Sequence, residues 1–434
     1  MKYKKYKLGD ICKIFGRIGF RGYTTEDLVL SPSDGAISLS PSNIVDGVMD
    51  LSKCTYISWA KYEESPEIKI APNDIVIVKT GNSYGRTAII RNVEHPMTLN
   101  PQFVVLKDIQ INPVYLAYFI KTDEFQKQIY GIVGGSAIPT LSQENLANLI
   151  VRVPNENIQN TIADILDSLD GKIELNKQIN DNLEAMAKQL YDYWFVQFDF
   201  PNEEGKPYKS SGGAMVWNEK LKREIPQGWS GVSLKDLALT SRNAITPVEN
   251  EVYQHFSIPS FDACGSYSLD NGSDIKSDKF VLQKGQLLVS KLNPWFNRVV
   301  WVPKGTNMIG STEFVVLNPN NESESGYIYS VIKSPKFIAY CSQAATGTSH
   351  SQRRVSPDVL MAFKVGYEQS VVQKYGCLIE KIQKQQAELL SEIAILTKQR
   401  DELLPLLMNG QATVNYHLSA LFLSSLYYIE TNTN

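Results

Sequence analysis

The stretch "NDIVIVKTGNSYGRTAIIR", residues 73–91, is followed much later in the chain by a similar one, "KGQLLVSKLNPWFNRVVWV", residues 284–302. Each consists of an apolar run, a turn rich in glycine, asparagine or proline, an arginine and a second apolar run. Short apolar runs between turn residues predict two strands joined by a loop. The same predicted hairpin therefore occurs twice, and its surroundings decide whether the whole fold is duplicated.

Other blocks also occur twice, at offsets of 211, 212 and 214 residues. They are "QFVVLK" (102–107) with "EFVVLN" (313–318), "YLAYFIKTDEF" (115–125) with "YIYSVIKSPKF" (327–337), and "LSQENLANLIVRVP" (141–154) with "VSPDVLMAFKVGYE" (355–368). Several separate blocks at nearly one offset indicate an internal duplication of roughly half the chain. Each half begins with β-rich runs and ends in a long helical pattern.

Apolar residues in the two helical patterns recur in alternating steps of four and three. The first series is Ile162, Leu166, Leu169, Ile173, Asn176, Asn180, Leu183, Ala187, Leu190 and Trp194, and the second is Ile382, Gln386, Leu389, Ile393, Leu396, Arg400, Leu403 and Leu407. This spacing predicts a coiled coil formed within the chain, with the polar members fixing register and partner. The alternative is that each series is the core face of an ordinary amphipathic helix.

Helix-breaking residues set the expected ends of these helices. From Ile158 to Phe198 the first helix would span about 60 Å at 1.5 Å per residue, with an early break near Gly171 as the alternative. Pro201 is expected to end it, and Pro405 to kink or end the second helix.

Composition bounds the class of protein. The 434 residues suit two or three domains, and 43% apolar with 21% charged residues fits a globular cytosolic protein. The basic N-terminus lacks the apolar run of a signal peptide, and no apolar stretch is long enough for a membrane helix. The longest candidate, "LSALFLSSLYYI" at 418–429, fits a tail packed on the protein better than an anchor.

The cysteines and histidines give no pattern of a metal site or a disulfide framework. The five cysteines form no CxxC pair, and none of the four histidines has a cysteine or another histidine at metal-ligand spacing. We therefore expect a reducing compartment and no metal on this chain. The net charge of −3 does not exclude a nucleic-acid partner, because only the contacting face must be positive.

One segment carries a resemblance to a known family. The first helical pattern ends in "LYDYWFVQFDFPNEEGKPYKSSGG" at 190–213, and the second in "LLPLLMNGQATV" at 403–414. With the duplication, these segments resemble the central and distal conserved regions of the specificity (S) subunit of type I DNA restriction-modification enzymes. The likeness covers about residues 1–415. The tail beyond it departs from the pattern, and the first half carries about 15 extra residues before its hairpin.

The resemblance implies an α+β fold with two β-rich target recognition domains in internal repeat, separated by two long helices that pair as an antiparallel coiled coil. The implied segments are recognition domain 1 (1–154), the central conserved helix (155–200), a connector (201–226), recognition domain 2 (227–367), the distal conserved helix (368–410) and a C-terminal tail (411–434). Each recognition domain would read one half of a split site in double-stranded DNA.

The resemblance also implies partners and the location of the chemistry. The chain itself would be non-catalytic, in the cytoplasm and off the membrane. Two methyltransferase (modification) subunits, forming an adenine-specific methyltransferase, and two restriction (translocase-nuclease) subunits would dock on it. S-adenosylmethionine, ATP and Mg²⁺ are expected on those partner subunits, with no cofactor on this chain.

Loops at the ends of the predicted strands are the expected DNA-binding elements, because side chains must reach base edges in the major groove. The candidates are Lys79, Thr80, Asn82, Ser83, Tyr84, Arg86, Ser136 and Thr140 in the first half, and Lys291, Asn293, Trp295, Asn297, Arg298, His350, Gln352, Arg353 and Arg354 in the second. The adjacent pair Arg353 and Arg354 has no acidic neighbour in sequence and is the strongest of them. The alternative for each loop is a solvated turn.

The aromatic cluster at the end of the first helix has two compatible interpretations. Tyr191, Trp194, Phe195 and Phe198 recur at helical spacing and can form one patch. The patch either supports recognition domain 2 structurally, which we favour, or docks a methyltransferase subunit. The polar stretch after it is expected to be a mobile connector.

Motifs for catalysis are incomplete. "NPWF" at 293–296 has tryptophan where adenine methyltransferases have proline, and "GNSYGRT" at 81–87 lacks phosphate-loop spacing. "NDIVIVK" at 73–79 has Ile77 where a nuclease needs its second acid. Two alternatives to the restriction function remain: a coiled-coil scaffold that reads no DNA, and a specificity subunit of a modification-only system.

Overall fold

A computed structural model describes residues 2–45, 47–133, 140–347 and 352–412 of the chain. The chain forms two compact units. Unit 1 comprises Met1–Glu174 and Ala394–Asn434, and unit 2 comprises Leu175–Ile393. Each long helix is therefore divided between the two units, so that a unit contains one β-rich domain and a portion of both helices.

Unit 1 is built from short strands. They are β1 (Lys4–Lys7), β2 (Lys13–Gly16), β3 (Leu28–Val29), β4 (Gly35–Leu39), β5 (Ile44–Val45), β6 (Val48–Met49), β7 (Tyr56–Ser58), β8 (Ile75–Val78), β9 (Thr87–Ile89), β10 (Met97–Leu99), β11 (Phe103–Lys107) and β12 (Ile150–Val153). One sheet has the antiparallel order β2-β11-β8-β9, and a second has the order β10-β4-β7-β3, with β10 parallel to β4. β1 pairs with β12, and β5 with β6.

The continuous apolar run of β8 explains why the first sheet is covered on both faces. All four of its residues are buried: Ile75 and Ile77 pack in one core cluster, and Val76 and Val78 in another. Because side chains alternate across a strand, a run without polar residues fits a sheet with apolar cover on each side. Strand β8 therefore anchors its hairpin with β9 between two core clusters.

Some helices of unit 1 begin at serine or asparagine residues whose side chains cap them. The helices of the unit are α1 (Leu8–Ile11), α2 (Trp59–Glu63), α3 (Pro113–Lys121), α4 (Asp123–Val133) and α5 (Gln143–Ala147), followed by the long helix α6 (Glu156–Tyr191). The side chain of Asn112 accepts a hydrogen bond from the Tyr115 amide, and Pro113 occupies the first helical position. An asparagine cap followed by proline supplies the acceptor and the backbone angle that a helix start requires.

Unit 2 repeats this plan. Its strands are β13 (Met215–Asn218), β14 (Arg223–Pro226), β15 (Ser230–Ser233), β16 (Ala238–Ser241), β17 (Ala244–Ile245), β18 (Val252–Phe256), β19 (Ser268–Asn271), β20 (Lys279–Val281), β21 (Leu287–Ser290), β22 (Val299–Trp301), β23 (Met308–Gly310), β24 (Phe314–Pro319) and β25 (Lys364–Tyr367). The sheet β16-β24-β21-β22 corresponds to β2-β11-β8-β9, and a sheet with the order β17-β20-β23-β18-β19 stands beside it.

The helices of unit 2 follow in the same sequence positions. They are α7 (Leu234–Leu237), α8 (Ile258–Cys264), α9 (Ser325–Lys333), α10 (Pro335–Ala344), α11 (Pro357–Met361) and the long helix α12 (Gln369–Met408). Ser334 and Ser356 each cap a helix whose first residue is proline. The matching elements confirm the predicted internal duplication.

The long helices continue through two positions at which a break was expected. Gly171 lies inside α6, and a Cβ atom there would meet nothing within 4 Å, so the helix passes through it on an open surface. Pro405 lies inside α12, which continues to Met408, so of the two expectations for Pro405, a kink or a helix end, the helix end is excluded. After Tyr191, α6 continues as a π-helical segment, Asp192–Val196, and the helix ends before Pro201 as predicted.

Polar contacts join the long helices within each unit. In unit 2, Asn176 donates a hydrogen bond to Glu392 (3.0 Å), and Gln386 donates to the Asn180 carbonyl (3.3 Å). Residue numbers therefore increase along α6 in the direction in which they decrease along α12, as in an antiparallel pair. In unit 1, the Arg400 guanidinium contacts the Asp170 carboxylate at 2.9 Å. The predicted antiparallel pairing is confirmed, and the polar breaks in the seam are paired groups.

The connector is structured, contrary to the expectation of a mobile segment. The Asp199 carboxylate accepts hydrogen bonds from the Ser210 amide (2.7 Å) and hydroxyl (2.6 Å), which lower its pKa. The rings of Phe200 and Tyr208 stack with centroids 4.8 Å apart. Strands β13 and β14 then form a hairpin. Glycine and serine in this stretch serve tight turns rather than an unstructured link.

Candidate functional site

Two equivalent hairpin loops contain most of the predicted DNA-binding residues. Loop 1 is residues 79–86, between β8 and β9, and loop 2 is residues 291–298, between β21 and β22. Val78 donates an amide hydrogen bond to the Arg86 carbonyl (2.8 Å), and Ser290 donates to the Arg298 carbonyl (3.0 Å). The two loops are therefore closed by the same bond at the same position, which aligns Arg86 with Arg298.

Both loops turn through left-handed residues. In loop 1 these are Gly81 (φ 91°) and Gly85 (φ 84°), and in loop 2 they are Asn293 (φ 49°) and Asn297 (φ 50°). Glycine adopts this conformation freely, and asparagine tolerates it better than most other residues. The two asparagines that we predicted as DNA contacts therefore have a backbone role in the turn.

A second segment, which we call the arm, lies against each loop. Arm 1 is residues 140–141 and arm 2 is residues 352–355. Leu141 donates an amide hydrogen bond to the Lys79 carbonyl (2.8 Å), and Val355 donates to the Lys291 carbonyl (3.1 Å). The structure thus brings together the two loops that the sequence paired in each half. Ser136 and His350, two of the predicted DNA contacts, lie outside the described residues.

Loop 1 presents polar side chains from a fixed frame. Asn82 and Arg86 are exposed, and within the described part of the chain no carboxylate pairs with Arg86 or Lys79. Partial burial lowers the pKa of Lys79. Ser83 and Tyr84 are half-buried, and the Tyr84 ring meets the ring of Tyr130 edge to face at 5.5 Å.

The arm completes this site in unit 1. Thr80 of loop 1 and Thr140 of arm 1 form a β-bridge, with their hydroxyl oxygens 3.5 Å apart. The bridge fixes both threonines beside Lys79. The site in unit 1 is therefore a cationic and polar surface on a backbone frame that hydrogen bonds hold in place.

In unit 2, Arg298 is engaged within the protein. Its side chain is 8% exposed, and its guanidinium donates to both carboxylate oxygens of Asp262, at 2.6 and 2.8 Å. The guanidinium also lies over the Phe296 ring, 4.5 Å from the centroid. Our prediction of Arg298 as a DNA contact therefore lacks support, because the side chain is buried, Nε and Nη2 bind Asp262, and Nη1 faces the Leu292 carbonyl at 3.5 Å.

The two adjacent arginines of arm 2 differ in their surroundings. The Arg354 guanidinium forks onto the Glu313 carboxylate, with N–O distances of 2.9 to 3.2 Å, and this pairing raises its pKa. Arg353 exchanges two hydrogen bonds with Asn293 through its backbone (2.8 and 3.0 Å). Its Nε has no acceptor. An acid that is distant in sequence therefore pairs with Arg354, although the string around the two arginines contains none.

The other predicted residues of unit 2 lie on the outside of the same site. Lys291 is half-buried beside the arm, Gln352 is exposed, and Trp295 is 40% exposed with its ring 6.1 Å from that of Phe296. Together with Arg353 these side chains provide a cation, an amide and an aromatic face. They are the groups from which a surface for bases and phosphates is made.

The aromatic residues predicted for docking lie in the core of unit 2. Trp194, Phe195 and Phe198 are buried, and the Phe195 ring lies 4.5 Å from the Tyr327 ring and 4.9 Å from the Tyr375 ring. Tyr191, the fourth predicted residue, is half-buried, and burial raises its pKa. The burial of these aromatic residues therefore fits the interpretation that they support the fold of unit 2. They offer a partner protein little accessible surface.

Sequence reasoning missed the exposed residues of this helix end. Met186 and Tyr193 are 57% and 38% exposed and line, with Leu190 and Ile382, a concavity of about 570 Å³. Met186 and Tyr193 lie between members of the 3–4 series, at positions where the spacing pattern predicts solvent-exposed side chains. Their apolar character was the available signal, since exposed helix positions are ordinarily polar.

Comparison with known proteins adds a second line of evidence. Residues 1–185 match the family model described as "Type I restriction modification DNA specificity domain". The MjaIX specificity subunit of Methanocaldococcus jannaschii, a type I restriction enzyme subunit, is 25% identical over 366 residues, covering 80% of this chain and 79% of its own length. The HindI specificity subunit of Haemophilus influenzae is 26% identical over 206 residues, covering 45% of this chain and 41% of its own.

A solved structure shares the fold. The S subunit of a type I restriction-modification system from M. genitalium aligns with a TM-score of 0.59 at 15% identity, covering 94% of this chain and 96% of that chain.

By these matches the chain is similar to specificity subunits of type I restriction enzymes over most of its length, with the family model covering residues 1–185. The matched family model describes a DNA specificity domain, and both relatives are specificity subunits of type I restriction enzymes. Among the residues that the structure describes, no cluster of three potential metal ligands occurs, and no helix has the length and apolarity to cross a membrane.

Proposed function

We propose that this specificity subunit reads a two-part DNA site, one half through loop 1 and arm 1, the other through loop 2 and arm 2. One observation carries the proposal. The two sites share their closing hydrogen bonds and their left-handed turn positions, yet their exposed side chains differ. A common frame with different side chains is what reading two different base sequences requires.

The side chains suit contacts in the major groove. In unit 1, Asn82 can pair with adenine, while Arg86 and Lys79 supply charge for guanine or phosphate. In unit 2, Gln352 offers the equivalent amide, and Lys291 and Arg353 supply the charge. Phosphate contacts position the protein, whereas the amides and one or more arginines would distinguish bases.

For the partners, we propose two methyltransferase and two restriction subunits in the cytoplasm, with S-adenosylmethionine, ATP and Mg²⁺ bound by those subunits. We assign methyltransferase docking to the concavity around Met186 and Tyr193, because it is the apolar surface that the buried aromatic cluster leaves accessible. Large exposed apolar groups on an otherwise polar helix mark interaction surfaces.

Docking at this concavity is open to a direct test. Met186→Glu and Tyr193→Glu should each weaken capture of the purified methyltransferase subunit at least tenfold, because each places a charge in an apolar contact. The matched control is Leu239→Glu, which changes a 65% exposed leucine elsewhere in unit 2. Equal capture by all three variants would place the docking surface elsewhere.

DNA recognition is tested by expressing the subunit with its methyltransferase partner in a host that lacks DNA methylation. Sequencing of modified bases should then reveal a motif of two short defined parts separated by a spacer of constant length. Methylation without a sequence motif would support the scaffold alternative. A motif found without any nuclease subunit encoded nearby would support the modification-only system.

A further inference from the structure

The ion pair between Arg354 and Glu313 has a geometry that leaves half of the guanidinium free. Glu313 accepts from Nε (3.0 and 3.2 Å) and from Nη2 (2.9 Å). Within the described part of the chain, Nη1 has no such partner, and the Arg354 side chain is 45% exposed. A guanidinium has two edges that can each make paired hydrogen bonds, so the outer edge remains available.

The backbone of Arg354 is also fixed. Its amide donates to the Thr346 carbonyl (2.8 Å), and its carbonyl accepts from the Thr346 amide (3.0 Å). On its other side it forms a β-bridge with Leu292 of loop 2. The residue is therefore held at both ends, by a small three-stranded arrangement at the backbone and by a carboxylate at the guanidinium.

We propose that Glu313 holds Arg354 as a preorganised reader of a single guanine in the half-site recognised by unit 2. The inference rests on the proposed function. The free edge of the guanidinium matches the O6 and N7 acceptors of guanine in the major groove. A side chain already fixed in its binding geometry loses less conformational entropy on contact than a free arginine.

Arg354 and Arg353 differ in whether a carboxylate neutralises their charge, and this difference predicts different roles. Glu313 neutralises Arg354, so the pair adds little attraction to phosphates, whereas Arg353 has no carboxylate partner among the described residues. Arg354 should therefore contribute to base preference with little effect on salt dependence. Arg353 should contribute mainly to affinity and salt dependence.

At the equivalent positions, which the structure describes, unit 1 has no such pair. The amide of Lys79 donates to the Gln102 carbonyl as that of Lys291 does to Glu313, which aligns Gln102 with Glu313. Thr140 occupies the bridge position of Arg354. Both equivalents are neutral, so the half-site read by unit 1 provides an internal control in every experiment on unit 2.

The test compares methylation motifs from the assembled methyltransferase complex containing Arg354→Ala, Arg354→Lys or Glu313→Gln. We expect the two Arg354 variants to lose the preference for guanine at one position of the second half-site by about 5- to 150-fold. Glu313→Gln should lose part of it. The first half-site should be unchanged, and so should the motif of the control Lys222→Ala, which removes a surface ion pair with Glu219.

Binding to duplexes of the identified motif at several salt concentrations adds a second readout. Arg353→Ala should reduce the slope of log affinity against log salt by about one, and Arg354→Ala should leave it nearly unchanged. A slope that changes equally in both variants would contradict the proposed division between the two arginines.

Other outcomes decide the rest. A second half-site without a guanine, or Arg354 variants that keep every base of it, overturn this inference and leave the proposed function standing. Equal loss of binding to all sequences together with a lower melting temperature would make the pair a purely structural clamp and overturn it as well. Absence of any motif from the unaltered protein would refute the proposed function itself.

Discussion

In unit 1 the last turn of α12 buries Leu407 and Met408, whereas in unit 2 the end of α6 buries Trp194 and Phe195. In both units the end of a long helix completes the core that packs against the sheet carrying the hairpin loop. One unit uses aliphatic side chains and the other aromatic rings, so the packing role is shared while the side chains differ. The two hairpin loops show the same combination, because they share their backbone hydrogen bonds and turn positions but differ in their exposed side chains.

The helix ends provide the largest expected effect. Trp194→Ala should cost unit 2 about 3–5 kcal/mol and Met408→Ala should cost unit 1 about 2–5 kcal/mol, because each leaves a cavity in a packed core. Limited proteolysis at increasing temperature, with the fragments identified by mass spectrometry, should show each variant opening its own unit first. Tyr193→Ala, on the exposed side of the same turn as Trp194, is the control and should change the free energy of unfolding by less than about 0.5 kcal/mol.

The aligned arginines of the two loops should respond oppositely to the same substitution. Arg298→Ala should destabilise unit 2 by about 2 kcal/mol, because it removes a buried side chain under loop 2, while Asp262, which is 49% exposed, stays hydrated without its partner. Arg86→Ala should cost almost no stability, since Arg86 is exposed, and should weaken binding and lower the salt slope by about one. Thermal denaturation and DNA titration of both variants check this, and a reversed pattern would contradict the assigned roles.

The Arg298–Asp262 pair should also give unit 2 a pH dependence. Hydrogen bonds from Arg298 hold the pKa of Asp262 below its usual value. A lowered carboxyl pKa contributes stability that is complete above the unfolded value, about 4, and is lost as the pH falls through the folded value. Melting curves between pH 6 and 3 should therefore show a fall in stability that is smaller in Asp262→Asn than in the unaltered chain.

The turn residues provide the smallest expected effect. Gly85→Ala should cost about 1–2 kcal/mol, because a non-glycine residue at φ 84° is strained and its Cβ would lie 2.8 Å from the Gln126 side chain. Asn297→Gly in the equivalent position should change the free energy of unfolding by less than about 0.5 kcal/mol. Chemical denaturation of the two variants makes the comparison, and a larger loss in Asn297→Gly would show that its side chain has a further role.

The residues that sequence reasoning placed correctly are those whose role depends on local pattern. The repeat blocks predicted matching units, the steps of four and three predicted paired helices, and the apolar runs with turn residues predicted the two hairpins. The expectations that failed are a helix end at Pro405, which was one of two alternatives there, and a mobile connector, whereas the favoured structural interpretation of the aromatic cluster agrees with its burial. In both failures contacts distant in sequence outweighed a local preference: Leu407 and Met408, beyond Pro405, are buried in the core of unit 1, and hydrogen bonds order the connector.

The sequence by itself determined that this chain is an internally duplicated protein with two loop-bearing domains and long helices, because periodicity and repetition are properties of neighbouring residues. Only the tertiary structure decided which arginines are free. Asp262 lies 36 residues from Arg298, and Glu313 lies 41 residues from Arg354. A charge is neutralised by whatever carboxylate folding brings near it, so the availability of a side chain for DNA is set by the fold and cannot be read from its neighbours in sequence.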